Sequence, residues 1–115
     1  MTLALLFPGQ GSQHVGMGSA LAAGEPIASE VFAEADEILD FSLSALMLDG
    51  PIEELTETQN AQPALLAHSV AALRVLGIRN PTAMSPAFGA GHSLGEFSAH
   101  VAAGTVTFAD ALRAV

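Results

Sequence analysis

The chain contains no cysteine, tryptophan, tyrosine or lysine. Without cysteine there can be no disulfide framework, thiolate metal site or thiol nucleophile, and no metal site is expected. Its only cations besides histidine are Arg74, Arg79 and Arg113, set against twelve carboxylates, for a formal net charge of -9. Phosphate backbones are gripped by clustered cations, so nucleic acid is not an expected partner. Ten of the twelve acids fall between Glu25 and Glu57, which predicts one acidic, solvated face.

Long apolar runs are missing as well. Met1 to Phe7 is apolar, but it lacks a basic n-region and a small-residue cleavage site and runs into Pro8-Gly9. Neither a signal peptide nor an anchor is expected there. Ala64 to Ile78 is interrupted by His68, Ser69 and Arg74. No stretch reaches the ~18–20 uninterrupted apolar residues of a membrane span. The expectation is a soluble, cytoplasmic protein with no membrane contact.

What is present is a globular composition: 115 residues, 50% hydrophobic and 13% charged, room for a single core. Leu3 to Phe7 is a short continuous apolar run ended by Pro8-Gly9, the pattern of a buried parallel strand. A glycine-rich loop from Gly9 to Gly18 follows, with helix expected from near His14. Pro26 to Asp40 predicts an amphipathic helix, with Ile27, Val31, Ala35, Ile38 and Leu39 on one stripe and Glu30, Glu34 and Glu37 on another. Leu43 to Leu48 predicts a short helix closed by Asp49-Gly50-Pro51. Pro63 to Leu76 predicts a more buried helix, with Leu65, Leu66, Ser69, Val70, Leu73 and Leu76 on one face and Gly77 as its stop.

Ala83 to Ala90 is the second strand candidate, with Ala87 to Gly91 as its paired portion after the break at Ser85-Pro86. Helices are expected from Leu94 to Ala103 and from Thr107 onward, where Thr107-Phe108-Ala109-Asp110 makes a capping-box pattern. This order is the beginning of an α/β fold. Two strands are too few for a covered parallel sheet, so further structure is expected beyond Val115.

Chemistry concentrates at two places. Gly91-His92-Ser93-Leu94-Gly95 fits G-x-S-x-G, with a strand before and a helix after. Ser93 on such a tight turn projects its hydroxyl from the sheet, and bulk at the flanking glycines would collide. The helix start leaves N–H groups free near the serine, and Leu94 N–H is the expected oxyanion donor. The second place is Phe7-Pro8-Gly9-Gln10-Gly11-Ser12-Gln13. It fails as G-x-G-x-x-G because His14 replaces the third glycine, and as a phosphate-binding Walker loop because lysine is absent. Gln10 can offer its N–H as a second oxyanion donor if its strand lies beside that of Ser93. Read singly, either place is open to a plainer explanation: a strand-to-helix turn, or small residues beside an ordinary serine.

Taken with Gln62-Pro63-Ala64-Leu65, Gly16-Met17-Gly18 and Phe108-Ala109-Asp110-Ala111, the order and spacing of these motifs resemble the malonyl/acyl-CoA transacylase family. The resemblance covers essentially the whole chain but only roughly the first third of such an enzyme. It implies transfer of a malonyl group from malonyl-CoA to the phosphopantetheine thiol of an acyl carrier protein in fatty acid biosynthesis, with no cofactor. It implies Ser93 as nucleophile, Gln10 and Leu94 as backbone oxyanion donors, and Gln62 in the acyl pocket. The implied fold is an α/β-hydrolase-like parallel-sheet core with a nucleophile elbow, residues 1–115 forming its amino-terminal part. A ferredoxin-like second domain is not in the chain. Leucine at position 94 resembles the discrete fatty-acid enzymes, whereas modular polyketide acyltransferases often carry glutamine.

The family's general-base histidine and carboxylate-binding arginine are both expected beyond Val115. Of the histidines present, His100 is expected ~10 Å from Ser93 along a shared helix, out of hydrogen-bond reach. His92 should diverge from Ser93, while His14 and His68 are expected on a surface or in a satisfied pocket. Arg113 is expected to face solvent or a helix C-terminus. Three readings stay open: a transacylase or related polyketide-type acyltransferase, a serine hydrolase sharing the turn, and a non-catalytic remnant of the family.

Overall fold

The computed structural model describes residues 3–81 and 86–115. The part of the second-strand expectation that falls on residues 82–85 lies outside the described residues. The described elements run β1 (Ala4–Phe7), α1 (Ser19–Gly24), α2 (Pro26–Leu39), α3 (Leu43–Asp49), α4 (Ile52–Leu55), α5 (Thr58–Arg79), β2 (Phe88–Gly91), α6 (Gly95–Ala103) and α7 (Phe108–Ala114).

The two strands pair in parallel, with Leu5 opposite Gly89 and Phe7 opposite Gly91. At the two ends of this ladder, Ala87 N–H donates to the Leu3 carbonyl at 2.8 Å and His92 N–H to the Phe7 carbonyl at 3.1 Å. The chain therefore leaves both strands at the same end of the sheet, so the loops after β1 and β2 are neighbours.

α5 is the centre of the packing. It buries Ala61, Pro63, Ala64, Leu65, Leu66, Ala67, Ser69, Val70, Ala71 and Val75 against α2, α3, α6 and α7. Small residues recur along it and let neighbouring helices approach closely. Its 22 residues are long and apolar enough to cross a membrane, but 56% of its apolar window is buried inside the fold. The sequence reading began this helix at Pro63, and the structure begins it five residues earlier, at Thr58. Proline inside a helix forfeits one backbone hydrogen bond and crowds the preceding turn, a cost that burial of this segment overrides. Nor does Gly77 stop the helix, which continues to Arg79.

α2 packs as its stripe predicts. Val31 and Ala35 are buried with Ala28 and Phe32, and Ile27, Ile38 and Leu39 pack on the same core. Asp36 accepts from the Ser44 backbone N–H at 2.8 Å and from the Ser44 hydroxyl, fixing the start of α3. α7 opens as expected, with Thr107 Oγ1 accepting from Asp110 N–H at 3.1 Å.

Two further expectations need correction. No helix starts near His14, because Gly16 and Gly18 take φ of 92° and 80°, left-handed values incompatible with a right-handed helix. The helix waits until Ser19, and Gly16 N–H instead donates to the Met47 carbonyl at 2.8 Å, tying the loop to α3. The strands, read as buried on both faces, are open: Leu6 is 77% and Phe88 60% exposed. An apolar run records what a strand is suited to pack against, and here the described residues leave much of the sheet uncovered.

Candidate active site

The site is built where the loops after β1 and β2 meet. Ser93 stands on the two-residue connection that carries the chain from His92 into α6, whose N-cap is Leu94. Its φ is 56°, a left-handed value that an L-residue other than glycine adopts only when the surroundings enforce it. The enforcement is visible. Gly95 N–H donates to the His92 carbonyl at 2.9 Å and Glu96 N–H to the Ser93 carbonyl at 3.0 Å, while the Leu94 side chain is buried in the core. Ser93 itself is exposed at the apex.

The flanking glycines are explained by backbone crowding. A Cβ on Gly91 would strike the Gly95 carbonyl and the Glu96 nitrogen, and a Cβ on Gly95 would strike the carbonyl oxygen of Phe7. Gly9 meets the second loop in the same way, since a Cβ there would collide with the His92 carbonyl oxygen. The two loops thus touch backbone to backbone with no room for a side chain between them.

The Gly9–Gln13 loop is braced by its own side chains. Gln13 Oε1 accepts from Gly11 N–H at 2.8 Å, and Ser12 N–H donates to the Gly9 carbonyl at 3.3 Å. Gln10 Nε2 donates to Thr58 Oγ1 at 3.2 Å, which fastens the loop to the first turn of α5. Among the described residues, neither Gln10 N–H nor Leu94 N–H is donated to another group of the chain. Leu94 N–H follows Ser93 directly, and Gln10 N–H stands in the loop that abuts His92.

The structure brings Gln10, Ser93 and Leu94 to one end of the sheet. Gln62 sits half-buried on α5, one turn beyond Thr58 and on its face, without a hydrogen bond to Gln10 or Ser93. Thr58 was not singled out by the sequence: its partner lies 48 residues away, and no local pattern marks such a contact. An apolar groove lined by Leu5, Phe7, Pro8, His68 and Leu73 runs beside β1 along α5 and holds about 260 Å³. Ser69, buried on α5, is the hydroxyl in its lining, and the groove lies along the strand rather than at the loop ends.

No histidine serves Ser93 within the described residues. His14 Nδ1 lies 3.4 Å from the Ser12 carbonyl, and the His92 ring lies over Gly9. The expectation that Ser93 and His100 share a helix is corrected, because α6 starts at Gly95 and Ser93 precedes it. His68 is held below its ordinary pKa by burial and then by the charge of His14. All three arginines are engaged elsewhere: Arg74 with Glu34 at 3.4 Å, Arg79 with Glu25, and Arg113 with Asp110 at 3.5 Å. Among the described residues, no group of three or more His, Asp or Glu side chains could hold a metal ion.

A family model for the acyl transferase domain matches residues 4–115. The chain belongs to the acyl transferase domain family. It is 52% identical over 113 residues to the malonyl CoA-acyl carrier protein transacylase of Bacillus subtilis, covering 98% of this chain and 35% of that protein. An acyl carrier protein S-malonyltransferase from Vibrio cholerae superposes with a TM-score of 0.91 at 49% identity, across 98% of this chain and 36% of that one. A malonyl-transacylase solved in complex with a type II polyketide acyl-carrier protein gives 0.92 at 48%, with the same coverage. This acyl transferase chain therefore spans about a third of the length of the relatives it matches.

Proposed function

We propose that this chain is the amino-terminal, nucleophile-bearing part of the catalytic domain of a malonyl-CoA:acyl-carrier-protein transacylase. The observation that carries the reading is the contact between two loops: Ser93, at φ 56°, stands where backbone crowding presses its turn against the Gln10 loop. The turn at Ser93 is read as a nucleophile elbow. Ser93 Oγ attacks the thioester carbonyl of malonyl-CoA, the oxyanion accepts from Gln10 and Leu94 N–H, and the coenzyme A thiol departs. In the second half, the phosphopantetheine thiol of the acyl carrier protein attacks the malonyl-serine ester and restores Ser93. Gln62 lines the acyl pocket.

The base that takes the Ser93 proton, and the cation that pairs with the malonyl carboxylate, come from outside these residues. Support for that division lies in the three arginines already paired and the histidines without a bond to Ser93. The proposed setting is cytoplasmic fatty acid synthesis, with α5 buried as a core helix. A second reading, a transacylase serving a type II polyketide carrier, is favoured by the likeness to the transacylase solved with such a carrier. Steady-state kinetics of the complete protein test the proposal. Parallel double-reciprocal lines for malonyl-CoA and carrier protein are expected from a covalent intermediate. Intersecting lines would contradict it, and the preferred carrier separates the two settings.

A further inference from the structure

We propose that Thr58 is a positioning residue for the Gln10 oxyanion donor, an inference that rests on the transacylase reading. The Gln10 side chain donates from Nε2 to Thr58 Oγ1 at 3.2 Å, on the first turn of α5. The backbone N–H of the same residue is left unpaired among the described residues. One residue thus has two jobs in the proposed site: its amide side chain anchors, and its main-chain N–H is left for the oxyanion.

The anchor matters because, among the described residues, it is the one hydrogen bond between this loop and α5. Gly9 and Gly11 flank Gln10, and Gly11 takes φ of 110°, so the backbone on either side is conformationally permissive. Gln13 fixes the loop internally through Gly11 N–H but makes no bond to a neighbouring element among the described residues. Thr58 ties it to the longest helix of the fold, at the turn preceding Gln62. The hydroxyl therefore couples the oxyanion donor to the helix assigned to the acyl pocket. An oxyanion donor displaced by a fraction of an ångström loses alignment with the transition state while substrate binding is unchanged.

The test uses the complete protein. Thr58→Val keeps the shape and removes the acceptor, and Thr58→Ser keeps the acceptor. Thr58→Val should lower kcat and kcat/KM together by roughly 3- to 10-fold, the range one modest hydrogen bond supports, with KM for malonyl-CoA unchanged. Thr58→Ser should restore most of the loss. Gln10→Ala cuts the same tether from the other side, so the double variant Thr58→Val/Gln10→Ala should be no slower than either single one. Wild-type turnover in Thr58→Val, losses that multiply in the double variant, or a change in KM alone would each overturn the proposal. Failure of the underlying reading looks different: Ser93→Ala would then still accept a malonyl group, whatever Thr58 does.

Discussion

The carbonyl oxygen of Phe7, at the end of β1, occupies the space that a Cβ on Gly95 would need. The atoms that Cβ would strike are main chain, not the tip of a flexible side chain. Gly95→Ala should therefore force the loops apart, destabilising the complete protein by at least about 1–3 kcal/mol. Acyl transfer should fall with it, since Ser93 and Gln10 are held together by this approach. Gly24→Ala is the control: nothing lies within 4 Å of its Cβ position, and its melting temperature and activity should match wild type. Thermal unfolding and a transfer assay on both variants check the contrast.

Gln10 should act mainly through its backbone. Gln10→Ala removes only the tether to Thr58 and should cost several-fold at most. Gln10→Pro removes the N–H and should lose on the order of 10²–10³ in kcat. A crystal structure of the proline variant shows whether the loop has stayed in place. Equal losses in the two variants with an undisturbed loop would shift the role to the side chain.

His68 gives the fold a dependence on pH. Burial and the nearby His14 lower its pKa from 6.5, so the unfolded chain takes up this proton at a higher pH than the folded one. Its contribution to stability is full above the unfolded value and is lost as pH falls through the folded value. The melting temperature of the complete protein should decline on acidification below about pH 6.5, and His68→Gln should decline less over the same range. Identical slopes for the two proteins would remove His68 from this role.

The tight turn at Ser93 was legible in the sequence because its cause is local. Gly91, Ser93 and Gly95 are spaced by the geometry of one tight turn, although those five residues alone were open to a plainer reading. Thr107 capping Asp110 N–H is equally local. Strand pairing was legible less directly, through two short apolar runs that each end at a glycine-bearing loop. Thr58 was invisible because its meaning depends on a contact with Gln10 across 48 residues. The start of α5 was misplaced because Pro63 reads locally as a first-turn residue, whereas the packing of Ala61 and Ala64 decides in favour of a longer helix. The exposure of Leu6 and Phe88 was legible only as a shortage, two buried-type strands being too few to cover each other, and not residue by residue.

Residues 1–115 expressed alone should neither fold as a stable monomer nor turn over malonyl-CoA appreciably. Among the described residues, Leu6 and Phe88 stand open on a two-stranded sheet with unpaired edges. Among the described residues no histidine is bonded to Ser93, and a serine without its base loses on the order of 10⁴ or more in rate. Size-exclusion chromatography, denaturation and label transfer to a carrier protein check both halves. A monomeric, cooperatively unfolding segment with enzyme-like turnover would reverse the conclusion.

The identity of the acylated residue is the most direct test of the whole account. The complete protein is mixed briefly with malonyl-CoA, quenched in acid, digested and analysed by mass spectrometry. The malonyl increment should map to Ser93, in the peptide containing Gly91-His92-Ser93-Leu94-Gly95, and disappear in Ser93→Ala. A malonyl group on another residue, or one that persists in Ser93→Ala, would contradict the assignment of Ser93 as the nucleophile.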